Sequence, residues 1–245
     1  MKRKLSVLLA VLLCVVLCLP ATAYAKNYDA TGTDMTISVD DTRWFVFTRD
    51  NLENNEELLL LGYTEDSMME FLEKNNIYVY GILIYENNEV LELFVRKAPK
   101  KTDVVNLSNY DDEDAMDFAS ELAKKQGVED YTIYKNEYKF ANLEYVDQNY
   151  GCYLNEFTTI VNKEIYTVTF QATSAFVDGE YKEMNQIVDS IQFDVDESLK
   201  EKKKPSGSND VITMTIVGAV AGGAAGGVMS FLRKKKKGNK DTEET

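Results

Sequence analysis

Carboxylates dominate the reactive side chains of this 245-residue chain, which carries 41 Asp and Glu residues and no histidine. Asp111, Asp112, Glu113, Asp114 and Asp117 crowd one stretch, and oxygen ligands at that density suit Ca2+. Their spacing lacks the alternation and the glycine of an EF-hand loop. The same acids at a helix start complement the positive end of its dipole, so no metal is expected there. Asp194, Asp196 and Glu197 are a sparser version of the same pattern. A pair of glycosidase carboxylates also works without histidine, and with this many acids such a pair stays open.

The absence of histidine removes Ser-His-Asp and Cys-His catalysis, His-ligated metals and a histidine pH switch. No glycine-rich phosphate loop follows a strand and no Gly-x-Ser-x-Gly elbow is present. No catalytic residue and no cofactor-binding residue is therefore nominated, and no cofactor is expected. Cys152 is the one thiol outside the N-terminal segment. It reads as a small apolar side chain in a strand, or as one half of a disulfide between chains. Tyr78, Tyr80, Tyr85, Tyr131, Tyr134, Tyr138 and Tyr145 could line an aromatic surface for glycans or peptides. The favoured reading is the plainer one, half-buried strand positions that keep the hydroxyl wet.

Two hydrophobic ends decide where such chemistry would operate. Lys2, Arg3 and Lys4 precede an apolar run from Leu5 to Leu19, and Ala23-Tyr24-Ala25 supplies a small-x-small site. This is a secretory signal over residues 1–25, with a mature chain beginning at Lys26. Cys14 and Cys18 follow leucines, where a lipid-attachment signal wants a small residue. Val211 to Leu232 has no charged residue over 22 positions, about 33 Å of helix, and Arg233 and four lysines follow it. A transmembrane helix at 211–232 with a basic cytoplasmic tail at 233–245 places the larger part outside a cell membrane as a single-pass protein. The layout resembles a cell-wall sorting signal, but the LPxTG-type pentapeptide is missing before the span, so the helix is expected to stay in the lipid bilayer. Gly218, Gly222 and Gly226 share one face of it and make a helix-packing stripe for a homo-oligomer; the plainer reading is a Gly/Ala-rich span without a partner. Residues 26–210 hold 38 acidic against 18 basic residues, a formal charge of −20. That sign disfavours nucleic acid and suits a soluble surface domain or a basic partner.

Residues 26–195 read as one α+β domain, an antiparallel β-sheet flanked by helices. Lys26 to Thr33 is short and polar, a flexible lead-in. Met35 to Val39 and Trp44 to Phe47 are strands that would make a first hairpin. Thr64 caps a helix whose face is Met68, Met69, Phe71 and Leu72 and which ends near Asn75-Asn76. Ile77 to Tyr85 and Val90 to Val95 form a hairpin around Asn87-Asn88. Asp111 to Gln126 is a helix stopped by Gly127, with Met116, Ala119, Leu122 and Ala123 on its apolar side. Strands follow at 131–134, 143–146, 152–161 and 165–171, then a helix near Tyr181 to Ser190 and a short strand 191–193. Residues 196–210, charged and then Gly/Ser-containing, read as a tether.

Trp44 after an early strand, the long antiparallel block and the ending Tyr181 to Phe193 (Tyr-x-x-x-Asn-x-Ile-Val-Asp-Ser-Ile-x-Phe) resemble the PsbP/Mog1-like fold. Within it the chain is similar to uncharacterised secreted or membrane-anchored proteins of Gram-positive bacteria. The resemblance covers roughly residues 34–194, and Asp41-Thr42-Arg43 replaces the Pro-x-Gly turn that often precedes the tryptophan. It implies an accessory or binding protein and carries over no functional residue. The expected function is thus a membrane-anchored extracellular binding or accessory domain. A carboxylate-based hydrolase of surface polymers and an envelope sensor or structural protein are the alternatives. Replacing Gly222 with Leu should abolish association of the 211–232 segment in a membrane dimerisation reporter; an unchanged signal removes the packing stripe.

Overall fold

The computed structural model describes residues 25–199, and 1–24 and 200–245 lie outside the described residues. The expected signal, the 211–232 span with Gly218, Gly222 and Gly226, the basic tail and most of the tether fall there. Among the described residues no helix is long and apolar enough to cross a membrane.

The chain opens with β1 (Ala25–Asp29) and β2 (Met35–Asp40). The expected flexible lead-in is instead a strand: Lys26 to Asp29 pair with Thr36 to Val39. Tyr28 and Ala30 sink into the core, and Asn27 and Asp29 accept from the hydroxyls of Ser38 and Thr36. Polar composition hid this because only one side chain of the strand, Tyr28, is buried. β3 (Trp44–Thr48) is present, but it does not form a hairpin with β2. Asp40 accepts from the amide and hydroxyl of Thr42 and turns the chain out of the first sheet. Both edges of β2 are already taken, by β1 and by the final strand.

A short helix α1 (Glu56–Leu60), capped by Asn55, was not anticipated. Only Leu58 of it is buried, while Leu59 and Leu60 point outward, so no helical stripe is legible there. The next helix, α2 (Glu65–Lys74), begins as expected at Thr64, whose hydroxyl accepts from Ser67 while Ser67 reaches back to the Thr64 amide. The hairpin of β4 (Ile77–Ile84) and β5 (Val90–Lys97) follows, with Asn88 in the left-handed region at its turn. α3 (Asp112–Gln126) starts on Asp111 and stops at Gly127, whose φ of 68° suits a residue without a side chain. Its buried side is Ala115, Phe118, Ala119, Leu122 and Ala123, whereas Met116 is exposed. Met116 falls outside the stripe because it lies about 100° from Ala115 and about 160° from Phe118 on the wheel, and those two residues carry it.

The remaining chain forms β6 (Tyr131–Tyr134), β7 (Phe140–Asp147), β8 (Cys152–Val161) and β9 (Glu164–Ala172), then α4 (Asp178–Asp189) and β10 (Gln192–Phe193). Asn162 and Lys163, both at positive φ, close the β8–β9 hairpin in the two-residue turn that matches strand twist. All strand pairs are antiparallel, in a seven-stranded sheet ordered β3-β4-β5-β9-β8-β7-β6 and a three-stranded sheet ordered β1-β2-β10. The architecture is α+β, antiparallel sheets flanked by helices.

Strand alternation sorts the large sheet into two faces. The inner face presents Trp44, Val79, Leu93, Phe140, Phe157, Val168 and Phe170 to the small sheet and to Met184, Ile187 and Val188 of α4. Each such side chain, fully buried, is worth roughly 1.5–3 kcal/mol relative to leaving it in water. Gly81 is held by this packing: a methyl there would meet Trp44 at 3.1 Å and Leu93 at 3.2 Å. The outer face has two apolar patches. α1 and α2 cover Phe47, Tyr80, Ile82 and Phe94 on β3–β5, and α3 covers Ile133, Ala141, Leu143 and Ile160 on β6–β8. Between them runs a strip of buried polar side chains.

Candidate functional site

The strip lies on the three central strands. On β9, Thr167, Thr169 and Gln171 alternate with Tyr166, Val168 and Phe170, so every second side chain of a fully buried strand is polar. On the flanking strands Arg96 stands opposite Thr167, Glu92 opposite Gln171, Thr158 opposite Thr167 and Glu156 opposite Thr169. Facing side chains on one surface of a ladder lie about 5 Å apart, so these groups form one continuous layer. Its helix-facing neighbours are Tyr63, between α1 and α2, and Gln126, the last residue of α3.

Most of the layer satisfies itself. Glu92, 0% exposed, accepts from the Tyr80 hydroxyl at 2.5 Å and from the Gln171 amide at 3.3 Å. The hydroxyls of Thr158 and Thr167 meet at 3.2 Å. Glu156, 4% exposed, accepts from Gln126 Nε2 at 3.0 Å on one oxygen and from the Tyr145 hydroxyl at 3.3 Å on the other. Burial pushes the Glu156 carboxyl above its ordinary value, against the pull of Gln126, Arg96, Tyr145 and Thr158. Tyr145 is raised as well, by burial first and by Glu156 second. The phenol of Tyr63 rises to about 12 through burial and the charge of Glu92.

Two polar atoms of the layer have no partner: Arg96 Nη2 and Gln126 Oε1. Both belong to side chains that converge on one cross-strand pair. Arg96 Nη1 reaches the Thr169 hydroxyl at 3.4 Å, Gln126 reaches Glu156 at 3.0 Å, and Thr169 and Glu156 face each other on the β8–β9 ladder. The Arg96 guanidinium stacks on Phe94, 4.9 Å from the ring centroid, and joins no ion pair among the described residues. Burial is the main influence on it and lowers its proton affinity, with Glu156 and Tyr145 opposing. A sealed donor on a cation without a carboxylate partner costs several kcal/mol in an apolar setting.

The residues singled out by sequence are placed elsewhere. Asp111 caps α3 by accepting from the amides of Glu113 and Asp114 at 3.1 and 2.9 Å. Asp112 pairs with Lys135 at 2.5 Å and Lys139 at 3.2 Å, and those lysines hold its carboxyl below the usual range. The cluster works as helix start and ion pair, and among the described residues no three metal-ligating side chains are grouped. Asp194 and Asp196 bind the β8–β9 turn instead: Asn162 Nδ2 donates to the Asp194 carbonyl and its Oδ1 accepts from the Asp196 amide. Cys152 is buried and forms no disulfide among the described residues. The tyrosines divide between the two faces of the large sheet, with Tyr78, Tyr85, Tyr134 and Tyr138 on the inner core and Tyr80 and Tyr145 on the outer face. Tyr80 stacks on Phe94 under α2, Tyr138 packs on Phe193, Tyr134 bonds Asp189 of α4, Tyr145 bonds Glu156, and Tyr131 remains outside.

Arg96, Gln126, Glu156 and Thr169 were not anticipated. Glu92 and Glu156 in the middle of β-branched and aromatic runs were the available signal, since a carboxylate is rarely fully buried without partners. The partners themselves come from β7, β9 and α3 and appear only on folding.

No protein-family model and no curated protein sequence matches the chain. Among solved structures it is similar to the solution structure of cyanobacterial PsbP (CyanoP) from Synechocystis sp. PCC 6803, at 12% identity over 71% of this chain and 95% of that one, with a TM-score of 0.38. It is also similar to a crystal structure from Bacteroides thetaiotaomicron, at 10% identity over 72% of this chain, with a TM-score of 0.37; the match spans half of that protein.

The raised Glu156 carboxyl has a sign that can be tested. Its folded affinity for protons exceeds the ordinary 4.5, so folding stability contributed at this position is full below pH 4.5 and declines as pH rises above it. Glu156→Gln keeps an acceptor for Gln126 and offers a donor to Tyr145. Denaturant melts should show that variant at least as stable as the parent at pH 7, with a flatter decline above pH 4.5. A loss of about 2 kcal/mol or more at pH 7 would show that the ionised form is the one the fold prefers.

Proposed function

We propose that this protein is an exported, membrane-anchored binding or accessory domain of PsbP/Mog1-like type, single-pass through residues 211–232, with residues 26–195 on the outer side. The observation that carries the binding reading is the incomplete end of the buried layer, where Arg96 Nη1 and Gln126 Nε2 reach Thr169 and Glu156 while Arg96 Nη2 and Gln126 Oε1 have no partner among the described residues. A native fold rarely leaves such groups without a partner, and a bound molecule is one way to supply it.

The carboxylates favour binding over hydrolysis. Glu92 and Glu156 stand on strands separated by β9, two residues out of register. Both are buried and both oxygens of each accept from neighbouring side chains. A general acid or nucleophile needs a free face toward substrate. The topology suits an anchor: the last described residues are tied by Asp196 to Asn162 at the β8–β9 turn, so the chain leaves from that end of the sheet. β8 extends from that turn for ten residues, about 30 Å, toward the opposite end.

Crosslinking the full-length tagged protein on intact cells should retain a defined envelope component, and Arg96→Met should reduce the yield several-fold. Degradation of a surface polymer by the purified protein, with nothing retained, would replace this reading with the hydrolase.

A further inference from the structure

Leu59 and Leu60 of α1 are the two most exposed large apolar side chains among the described residues, at 73% and 77%. Single exposed apolar residues are ordinary, whereas contiguous ones mark interaction sites. We propose that α1 is a docking surface and that its partner is a cationic protein segment carrying apolar side chains. None of its residues belongs to the Arg96–Gln126 seam, so this inference goes beyond the binding reading given above.

The backbone that presents the pair is held at both ends. Upstream, Asn51 accepts from the Thr48 amide at 2.7 Å and donates to the Val46 carbonyl at 2.8 Å, which ties the loop to β3. Asn55 donates to the Asn51 carbonyl and accepts from the Glu57 amide, both at 3.0 Å, and so caps the helix. Downstream, the Tyr63 amide donates to the Leu58 carbonyl at 2.9 Å and the Gly62 amide to the Leu59 carbonyl at 3.1 Å. With Gly62 at a φ of 79°, this is a Schellman stop. Leu58 and Tyr63, which it brings together, pack in one cluster with Leu52 and Leu61. Leu59 and Leu60 are thus kept in water by a backbone fixed on either side of them. A partner that covers them releases that water without first having to order the segment.

Charge selects the partner. Residues 50–73 hold eight carboxylates and no lysine or arginine. Glu56, Glu57, Glu65 and Asp66 also serve the helix starts they occupy. Asp50, Glu53, Glu70 and Glu73 have no such duty, and all four are exposed. None of the eight joins an ion pair among the described residues. Arg49, at the border of the stretch, places its guanidinium over the Tyr78 ring instead. A second copy of the chain would bring the same acids against these, and anionic lipid would be repelled in the same way. Lysine and arginine side chains can set their charge among the carboxylates while their stems and apolar neighbours cover the leucines.

The test is fluorescence anisotropy of three labelled hexapeptides with blocked termini, titrated with the full-length protein in a nonionic detergent. Lys-Leu-Lys-Lys-Leu-Lys carries both features, Lys-Ser-Lys-Lys-Ser-Lys only the charge, and Glu-Leu-Glu-Glu-Leu-Glu only the apolar side chains. The first should bind about tenfold tighter than the second, and the third should not bind. Leu59→Gln combined with Leu60→Gln keeps the charge and the helix propensity, and should lower the first peptide to the level of the second. Glu70→Gln with Glu73→Gln should weaken the first peptide several-fold. Glu129→Gln with Asp130→Asn, exposed acids elsewhere, should leave it unchanged. Equal binding of the two lysine peptides, or tight binding that survives the loss of both leucines, would reduce the effect to general acidity and overturn the proposal. A full-length dimer that the leucine variant disperses would overturn it in favour of a second copy. Slower amide exchange across residues 56–62 on transfer from detergent to phosphatidylglycerol bilayers would overturn it in favour of lipid. Arg96 takes no part in any of these measurements, so their failure leaves the crosslinking prediction for the seam standing.

Discussion

The central strands β5, β9 and β8 are buried on both faces, and everything distinctive about the molecule follows from how the second face is filled. The inner face is mostly apolar, with Asn155 and Thr159 buried among its aromatic side chains, and meets the small sheet and α4. The outer face carries two carboxylates, an amide, hydroxyls and a guanidinium at positions where a sheet protein ordinarily places valine or leucine. A buried polar layer has to close its own hydrogen bonds, because each open group costs as much as several closed ones return. Glu92, Tyr80 and Gln171 close theirs on one side. At the other end the account stays open on Arg96 and Gln126.

That openness separates two kinds of polar chemistry in one protein. The acids of Asp111 to Asp114 sit at the surface, where solvent screens them, and their work is local: a cap and two ion pairs. Asn162 is likewise complete, tying the β8–β9 turn to Asp34, Asn106, Asp194 and Asp196 and fixing the point from which the chain departs. The seam is different because its groups are both desolvated and incomplete. Desolvation is what makes an open polar group cost more there than on the surface.

Elements with strong local grammar were legible. The Thr64 cap with its acidic first turn, the Asp111–Gly127 frame around α3 and the Asn87-Asn88 and Asn162-Lys163 turns all act within a few residues of themselves. β1 was not, since its polar residues become a strand only by pairing with β2. Nor was the parting of β2 from β3, which depends on β10, some 150 residues later, occupying the free edge of β2. Alternation in β9 was visible as Thr167, Val168, Thr169, Phe170 and Gln171, yet alternation ordinarily means one wet face. Only the arrival of helices on that face turns those threonines into a buried layer. The candidate site was illegible for the same reason: Arg96, Gln126 and Glu156 are 60 residues apart from first to last and share no motif.

Arg96 therefore decides the account, because a cation paired inside the protein needs no ligand. A double-mutant cycle of Arg96→Met and Glu156→Gln on unfolding free energy, in ligand-free buffer at neutral pH, measures whether Glu156 already serves as its partner. Unpaired residues predict a coupling below about 1 kcal/mol, with Arg96→Met alone neutral or stabilising. A coupling of about 3 kcal/mol or more, with Arg96→Met strongly destabilising, would show a direct buried ion pair and contradict the reading of this seam as a binding site.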